Sequence, residues 1–542
     1  MGDDSNPPKT ITRRLRRAAV VVIGLLAVSG ALFFLASLLV NRIQIPQSQQ
    51  QIPAYLAVGP EPTPTPKPLA SPAEKPFAVA LRAGSDDRPT SGCTPYGLFL
   101  EAELRDRPNL EGARQCLELN RIYYGDPGRN VMFRFYFSDY HQKALWQAGT
   151  PVSGEADQWL KTHSDIVAKF LNLAEGPGPP IRPMKLIAQI EDPDSMPTMG
   201  FFMRIGVAIL AGEGQRLFQV GDLAGADCYW RASIRLSVIC GLEPDYSGMY
   251  SVLIPIACLK DRINAEIDRD ALLEYRAALA SAHALLFPAD GHREWLAWRI
   301  AARRKRLIAD LDHPWFNPAF GWDVDNPDHY GDLHFSLSGL EIPRFDRLAI
   351  NAASAMQIKE QSTRIIRDFD ATYSEILWRA TATWPELAAR KPFQPPEPPG
   401  QIRERFYDRL FFESKYEDVR EPVTKKPYYA VSNYVHFYYW GRESWNAQAE
   451  TRLNLTRAAI ECRLTTETQV AKIIPKQIDR ESPWRDPFTE KPLGVMDGTS
   501  NTLTIYSLGP DMQDQRAAVT YDPTNGTISP GDIHIDLKRE PR

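Results

Sequence analysis

The chain has 542 residues, with 63 Lys plus Arg against 67 Asp plus Glu and a net charge of −4. That near-neutral balance, with no basic block beyond the N-terminal tail, argues against nucleic acid as a partner. With 43% hydrophobic and 10% aromatic residues there is ample material for packed cores, which excludes a chain disordered throughout.

The first 17 residues form a basic tail carrying Lys9, Arg13, Arg14, Arg16 and Arg17. Residues 18–40 hold no charge. As a helix rising about 1.5 Å per residue they cover the roughly 30 Å of bilayer hydrocarbon. Cations crowd the N-terminal flank and only Arg42 stands close on the other, so the positive-inside rule predicts a cytoplasmic N-terminus and a periplasmic, extracytoplasmic bulk. A cleaved signal peptide fits less well, because its apolar core runs about 7–15 residues and ends at a small-x-small site. The expectation is a single-pass inner-membrane protein with the lipid bilayer as one partner. Residues 41–76 read as a Pro-rich linker, with Pro62, Pro64, Pro66 and Pro68 favouring an extended polyproline II spacer.

Residues 77–390 read as a helical domain. Ser153 is placed to cap a helix to about Leu173, with Trp159, Ile166, Phe170 and Leu173 at three- and four-residue steps. Further helices are expected from Met199 to Val220, from a cap at Asp222 to Gly241, from Asp245 or Ser247, from a cap at Asp268 through Leu286, and from Asp290. Short connections imply antiparallel hairpins. Gly214, Gly221, Ala226, Trp230 and Ser233 resemble a tetratricopeptide repeat, in which small residues let two helices approach closely. No second copy follows at the repeat distance, so one repeat-like hairpin in an irregular helical domain is expected.

Residues 313–343 interrupt the pattern and gather Asp323, Asp325, Asp328, His329, Asp332 and His334. Carboxylates and imidazoles that close together suit a divalent metal or acid–base chemistry, with Asp323, Asp325, His329 and His334 as the candidate catalytic residues. Asp and Asn beside Pro also make ordinary turns. Helices resume from Arg344 to Arg390, and residues 391–444 form a Pro-rich break and an aromatic-rich connector. A helix from about Trp445 to Leu464 carries Leu453, Leu455, Ala458, Ala459 and Ile460, and short strands follow.

The cysteines are Cys93, Cys116, Cys228, Cys240, Cys258 and Cys462, with no C-x-x-C among them. Cys93 with Cys116 is the best-placed pair for a disulfide; Cys228 and Cys258 could face one another across a hairpin; buried free thiols are the alternative for all six.

Trp484-Arg485-Asp486-Pro487-Phe488 through Leu493, then Leu503-Thr504-Ile505-Tyr506-Ser507-Leu508-Gly509-Pro510-Asp511, resembles the C-terminal part of the major pseudopilin of type II secretion, as do Tyr521 to Thr527 and Gly531-Asp532-Ile533. The resemblance spans 484–533, or 445–542 with the preceding helix. It implies a helix packed on a small antiparallel sheet, and a calcium ion held by the Leu508 carbonyl with Asp511, Asp514 and Asp532. Calcium takes six to eight oxygens, which carboxylates and carbonyls of a turn can supply. Two features depart from that family. Gly24 lies inside the apolar run with Val28 where the processing motif needs Glu, so the chain is not itself a pilin subunit; and Arg516 brings a cation near the expected ion. The helical region with this tail also resembles a set of membrane-anchored bacterial proteins having Gly-Asp-x-x-x-Ala midway, a resemblance that implies no activity.

The sequence therefore predicts a mainly α protein: a transmembrane helix, an irregular, partly repeat-like helical domain, and a small α+β module at 445–542. The chain shows no nucleophile elbow, phosphate-cradling loop, His-Glu-x-x-His or dinucleotide fingerprint. A non-enzymatic, protein-binding scaffold of the cell envelope, linked to secretion or pilus-like assembly, is the first expectation. An exported hydrolase using the 323–334 cluster is the alternative.

Overall fold

The computed structural model describes residues 46–51, 111–125, 151–176, 198–242, 251–265, 267–288, 293–312, 344–390, 442–465, 478–497, 502–522 and 530–538, with a few single residues besides. The chain divides into two compact units: residues 1–57, 300–374 and 394–437 in the first, and 58–299, 375–393 and 438–542 in the second. Among the described residues the protein is mainly helical, with one small three-stranded sheet.

In the first unit, α1 (Gln47–Gln50) is a single helical turn inside the stretch expected as linker. The buried guanidinium of Arg304 donates to the carbonyls of Gln49 at 2.8 Å and Gln51 at 3.0 Å, while its Nε donates to Asp370 at 2.7 Å. Arg304 lies on the helix Arg293–Asp312 and Asp370 on the helix Arg344–Thr381. Between these helices Leu311, Ile365 and Ile366 form a small buried cluster with Leu307 and Ile308 against it.

The second unit is organised on a helical hairpin. In chain order it contains α2 (Glu111–Gly125), α3 (Gly154–Thr162), α4 (Ser164–Glu175), α5 (Thr198–Gln219), α6 (Leu223–Leu242), α7 (Leu253–Asn264) and α8 (Arg269–Leu286). The two helices that run across both units, Arg293–Asp312 and Arg344–Thr381, are α9 and α10; then come α11 (Trp384–Ala389), α12 (Arg442–Leu464), β1 (Gly494–Asp497), β2 (Thr502–Ser507) and β3 (Ile533–Lys538). Helix α5 is buried from Met203 to Gln215 almost without interruption, as a helix apolar all round should be. Helices α4 and α3 pack on α5, α2 packs on α4, and α7 and α8 pack along α6. Helix α12 packs on α7 and α8 and also on β2 and β3, and α7 reaches β3 as well.

The expected start signals hold for two helices. Asp222 accepts from Gly225 N at 3.0 Å, and Asp268 accepts from Ala271 N at 2.7 Å. The single helix expected from Ser153 to Leu173 is two. The chain breaks at His163 (φ −116°, ψ 36°), whose ring stacks on Trp159 with centroids 4.5 Å apart. Within the stretch 344–390 expected to be helical there are two helices, the first ending at Thr381. Pro385 opens α11 after a reciprocal cap in which Thr383 N donates to Glu386 at 2.8 Å.

The repeat-like residues do meet. Trp230 Nε1 donates to the Ala211 carbonyl at 3.2 Å and Ser233 Oγ to the Val207 carbonyl at 2.9 Å, so α5 and α6 run antiparallel in close register. Gly214 lies against the Trp230 indole, where a β-carbon would come within 2.6 Å of the ring. At the turn Gly221 has φ +85°, a backbone conformation that favours glycine.

Asp227 joins three helices of this layer. Its carboxylate receives Nε and Nη2 of Arg262, both at 2.9 Å, and the Tyr275 hydroxyl at 2.7 Å. All three residues are buried, which fits the rule that a charge leaves water only when paired and hydrogen-bonded.

The membrane reading is corrected. Among the described residues no helix is long and apolar enough to cross a membrane. The apolar helix α5 still carries Arg204, Glu213 and Arg216, and its apolar faces are covered by α4, α6 and α7 rather than by lipid. Residues 18–40, expected as the transmembrane helix, lie outside the described residues. The transmembrane fold element, the single-pass inner-membrane location with cytoplasmic N-terminus and periplasmic bulk, and the bilayer as partner are not carried further.

Among the described cysteines, Cys116, Cys228, Cys258 and Cys462 form no disulfide, so Cys228 and Cys258 are not bonded across their hairpin. Cys93 lies outside the described residues.

Candidate metal centre in the C-terminal module

The module begins with α12, which is buried nearly all round although it is rich in polar residues. Leu453, Leu455, Ala458, Ala459 and Ile460 form its apolar face, as their spacing predicts. Gln448, Glu450, Thr451, Asn454 and Thr456 are buried as well. Burial of polar groups demands partners, and the helix finds them in neighbouring segments. Gln448 Nε2 donates to the Tyr521 hydroxyl at 2.9 Å, and Asn454 Nδ2 to the Arg485 carbonyl at 3.0 Å. Glu450 Oε1 lies 2.7 Å from Arg485 Nη1 and 3.1 Å from His283 Nε2. Burial pushes the Glu450 carboxyl up, but the His283 hydrogen bond and the Arg485 charge outweigh it and hold the group below its ordinary value. Arg452, enclosed on the same helix, is lowered to about 9 by burial.

The sheet is antiparallel in the order β1-β2-β3, with Val495 opposite Ile505 and Ile505 opposite Ile535. Ile533, Ile535 and Leu537 alternate inward on β3, with His534 and Asp536 less buried between them. Asn264 at the end of α7 extends the β3 edge: its Nδ2 donates to the Asp536 carbonyl at 2.8 Å and its Oδ1 accepts from Lys538 N at 2.9 Å.

Two motifs distant in sequence meet beneath the loop that follows β2. The buried Asp486 carboxylate accepts from Ser507 Oγ at 2.7 Å, Phe488 N at 3.0 Å, Thr489 Oγ1 at 3.0 Å and Leu508 N at 3.2 Å. Its carboxyl stands above the ordinary value because burial outweighs those four donors. The loop then turns through Gly509 (φ +70°), with Met512, Arg516 and Ala517 also at positive φ. Gly509 lies directly on the Gly531 carbonyl, which leaves no space for a side chain.

The expected calcium ligands lie along this loop and at Asp532, where the charges of Asp514 and Asp511 act on the Asp532 carboxyl. Asp511 accepts from Gln513 N at 3.1 Å and Gln515 Nε2 at 2.8 Å; Asp514 accepts from Arg516 N at 2.9 Å and is bonded by the Tyr506 hydroxyl. Asp532 is fully buried and Oδ2 accepts from Ala517 N at 2.7 Å, while Oδ1 is enclosed and has no hydrogen-bond partner. Burial, with further contributions from Asp514 and Asp511 against the loop N–H donors, pushes the Asp532 carboxyl up to about 6. Leu508, whose carbonyl is the fourth expected ligand, is fixed through its N–H on Asp486.

Among the described residues no group of three or more His, Cys, Asp or Glu side chains is gathered to hold a metal by itself. The donor set here is mixed, with an enclosed carboxylate oxygen, two further carboxylates in its field and a backbone carbonyl nearby in the chain. That chemistry suits calcium, which takes carbonyl and water oxygens alongside carboxylates, and does not suit a site built from side chains alone. The bare oxygen of Asp532 and its raised proton affinity are what an uncompensated negative site presents to a cation.

The other candidate residues, Asp323, Asp325, His329 and His334, lie outside the described residues, as does the aromatic connector up to residue 441. Sequence reasoning quoted Asp486 without giving it a role. Its signal was available: an Asp followed by Pro-Phe-Thr offers N–H and hydroxyl donors two and three residues ahead, the pattern of an Asx turn. The chain matches no protein-family model, no curated protein and no solved structure.

Proposed function

We propose that this chain is a non-enzymatic protein-interaction scaffold whose C-terminal module takes one calcium ion as a structural element, in the manner the pseudopilin resemblance implies. The observation that carries the reading is Asp532: a buried carboxylate with one oxygen bare, in the field of Asp511 and Asp514. Bound calcium supplies positive charge to that field. Asp532, Asp511, Asp514 and the Leu508 carbonyl would hold it, with the donors from Gln513, Gln515, Arg516 and Ala517 fixing the carboxylates.

What supports the scaffold half is the repeat-like α5–α6 hairpin, whose tip leaves Val220 at 70% and Leu223 at 36% exposure, available to a protein partner. The α12-on-sheet arrangement is in keeping with a docking module of the pilus-like kind.

The test is thermal melting of the full-length chain in CaCl2 and in chelator. A ligand that binds only the folded state stabilises it by about 2.7 kcal/mol at a hundred times its dissociation constant. Calcium is expected to raise the melting temperature of the wild type and leave that of Asp532→Asn unchanged. A wild-type melt identical in calcium and chelator overturns the calcium reading. In-cell cross-linking with mass spectrometry tests the scaffold: protein neighbours joined through 445–542 are expected, and recovery of the chain alone overturns the docking role.

A further inference from the structure

In the first unit, helix α1 is one turn of four residues, with Pro46 before it and Gln51, extended at ψ 146°, closing it. A helix that short does not hold itself in water and persists where tertiary contacts fix it. Apolar burial does not supply them. None of its residues is buried; Gln49 is half-buried, and Gln47, Ser48, Gln50 and Gln51 are exposed. What meets the turn instead is the Arg304 side chain, enclosed to 5% exposure.

That guanidinium forks in two directions. Its Nε and Nη2 grip the Asp370 carboxylate at 2.7 and 3.0 Å, a bidentate pair that fixes the plane of the group. Nη2 also donates to the Gln49 carbonyl at 2.8 Å, and Nη1 donates to the Gln51 carbonyl at 3.0 Å. Carbonyls at the end of a helix lack intrahelical donors and carry the negative end of its dipole, so a cation suits them. Gln49 Nε2 adds a longer bond to the Thr363 carbonyl of α10 at 3.4 Å. Helix α9 thus supplies the donor and α10 aims it, and what Arg304 reads is main chain rather than side chain. A lysine could not replace it, because an ammonium is a compact head without the planar fork.

We infer that residues 46–51 are a strap closed on the α9–α10 pair by Arg304, a docking site that reads the strap's main chain, with Asp370 as the positioning residue for the guanidinium. The strap is open when the guanidinium no longer spans the carboxylate and the two carbonyls. Closed, it sets the point at which residues 1–45 join the first unit; open, it adds residues 46–51 to the reach of that segment. The strap is independent of the calcium reading above.

Hydrogen exchange of the full-length chain tests it in the wild type, Arg304→Lys and Gln51→Ala. Arg304→Lys keeps a cation for Asp370 and removes the fork. Gln51→Ala removes an exposed side chain and keeps the carbonyl. Exchange in 47–51 is expected to be about tenfold faster in Arg304→Lys, the factor that one charge-assisted hydrogen bond of about 1.5 kcal/mol represents, and unchanged in Gln51→Ala. The helix pair, read at 304–312 and 362–370, is expected to keep its protection throughout. Equal exchange of 47–51 in the wild type and Arg304→Lys overturns the strap. Exchange in Gln51→Ala as fast as in Arg304→Lys overturns main-chain recognition. Loss of protection in the helix pair together with 47–51 means that Arg304 holds the helices rather than the strap, and overturns the inference as well.

Discussion

Ser507 Oγ stands 2.7 Å from Asp486 Oδ1, and this one bond ties the Asp-Pro-Phe turn to the end of β2. Leu508 N reaches the other oxygen of the same carboxylate, so the loop leaves the sheet at a fixed point. Removing the carboxylate takes the acceptor from two hydroxyls, of Ser507 and Thr489, and from two backbone N–H groups, of Phe488 and Leu508. Asp486→Ala is expected to destabilise the full chain by about 3 kcal/mol, from unsatisfied donors at roughly 1–3 kcal/mol each with partial relaxation. Asp486→Asn retains an acceptor and is expected to cost less. Denaturant unfolding measures both, and an Asp486→Ala loss no larger than that of a surface substitution would show that the tie is dispensable.

The close approach of α5 to α6 makes a second prediction. In an open helix, Gly→Ala is favourable by about 1 kcal/mol. At Gly214 the added carbon would lie 2.6 Å from the Trp230 ring, and the buried indole is held by its bond to Ala211. Overpacking of this sort costs typically 1–3 kcal/mol. Gly214→Ala is therefore expected to lower the melting temperature, and a rise would mean that the indole moves aside freely.

The Glu450 cluster sets a pH dependence. The folded carboxyl titrates below the ordinary 4.5, because the hydrogen bond from His283 and the charge of Arg485 overcome its burial. On acidification the unfolded chain takes up this proton first. The contribution is complete above about 4.5 and is lost as the pH falls through the folded value. Glu450→Gln removes the anion that His283 and Arg485 share, while Arg485 keeps Glu490 through its Nε at 2.8 Å, so the loss is that of a hydrogen-bonded charge, about 1.5–3 kcal/mol. The gap between wild type and Glu450→Gln is expected to be widest near neutrality and to narrow below pH 4.5. Stability curves running parallel from pH 7 to pH 3 would contradict this account.

Much of the helical architecture was legible because its signals are local. The caps at Asp222 and Asp268, the apolar steps of α12 and the small residues facing Trp230 each act within a turn or across one short connection. The break at His163 was not legible, since the apolar steps continue on both sides of it and only the backbone angles record the change. The antiparallel sheet packed on α12 was anticipated from the pseudopilin resemblance, and the charges of Asp511 and Asp514 act on Asp532 without the three carboxylates being gathered into one group. Their bonding was not legible, because each carboxylate is aimed by donors from residues at positive φ or from turns.

By itself, then, the sequence determined where several helices start and which of their faces are apolar. Tertiary structure alone decided the partners of the buried carboxylates. Glu450 and His283 are 167 residues apart, and Asp227 and Tyr275 are 48 apart on different helices. A carboxylate's partner inside a protein is whichever donor packing delivers to it, and periodicity carries no information about that. The same holds for the bare oxygen of Asp532: burial removed its water, and only the fold shows that no donor replaced it.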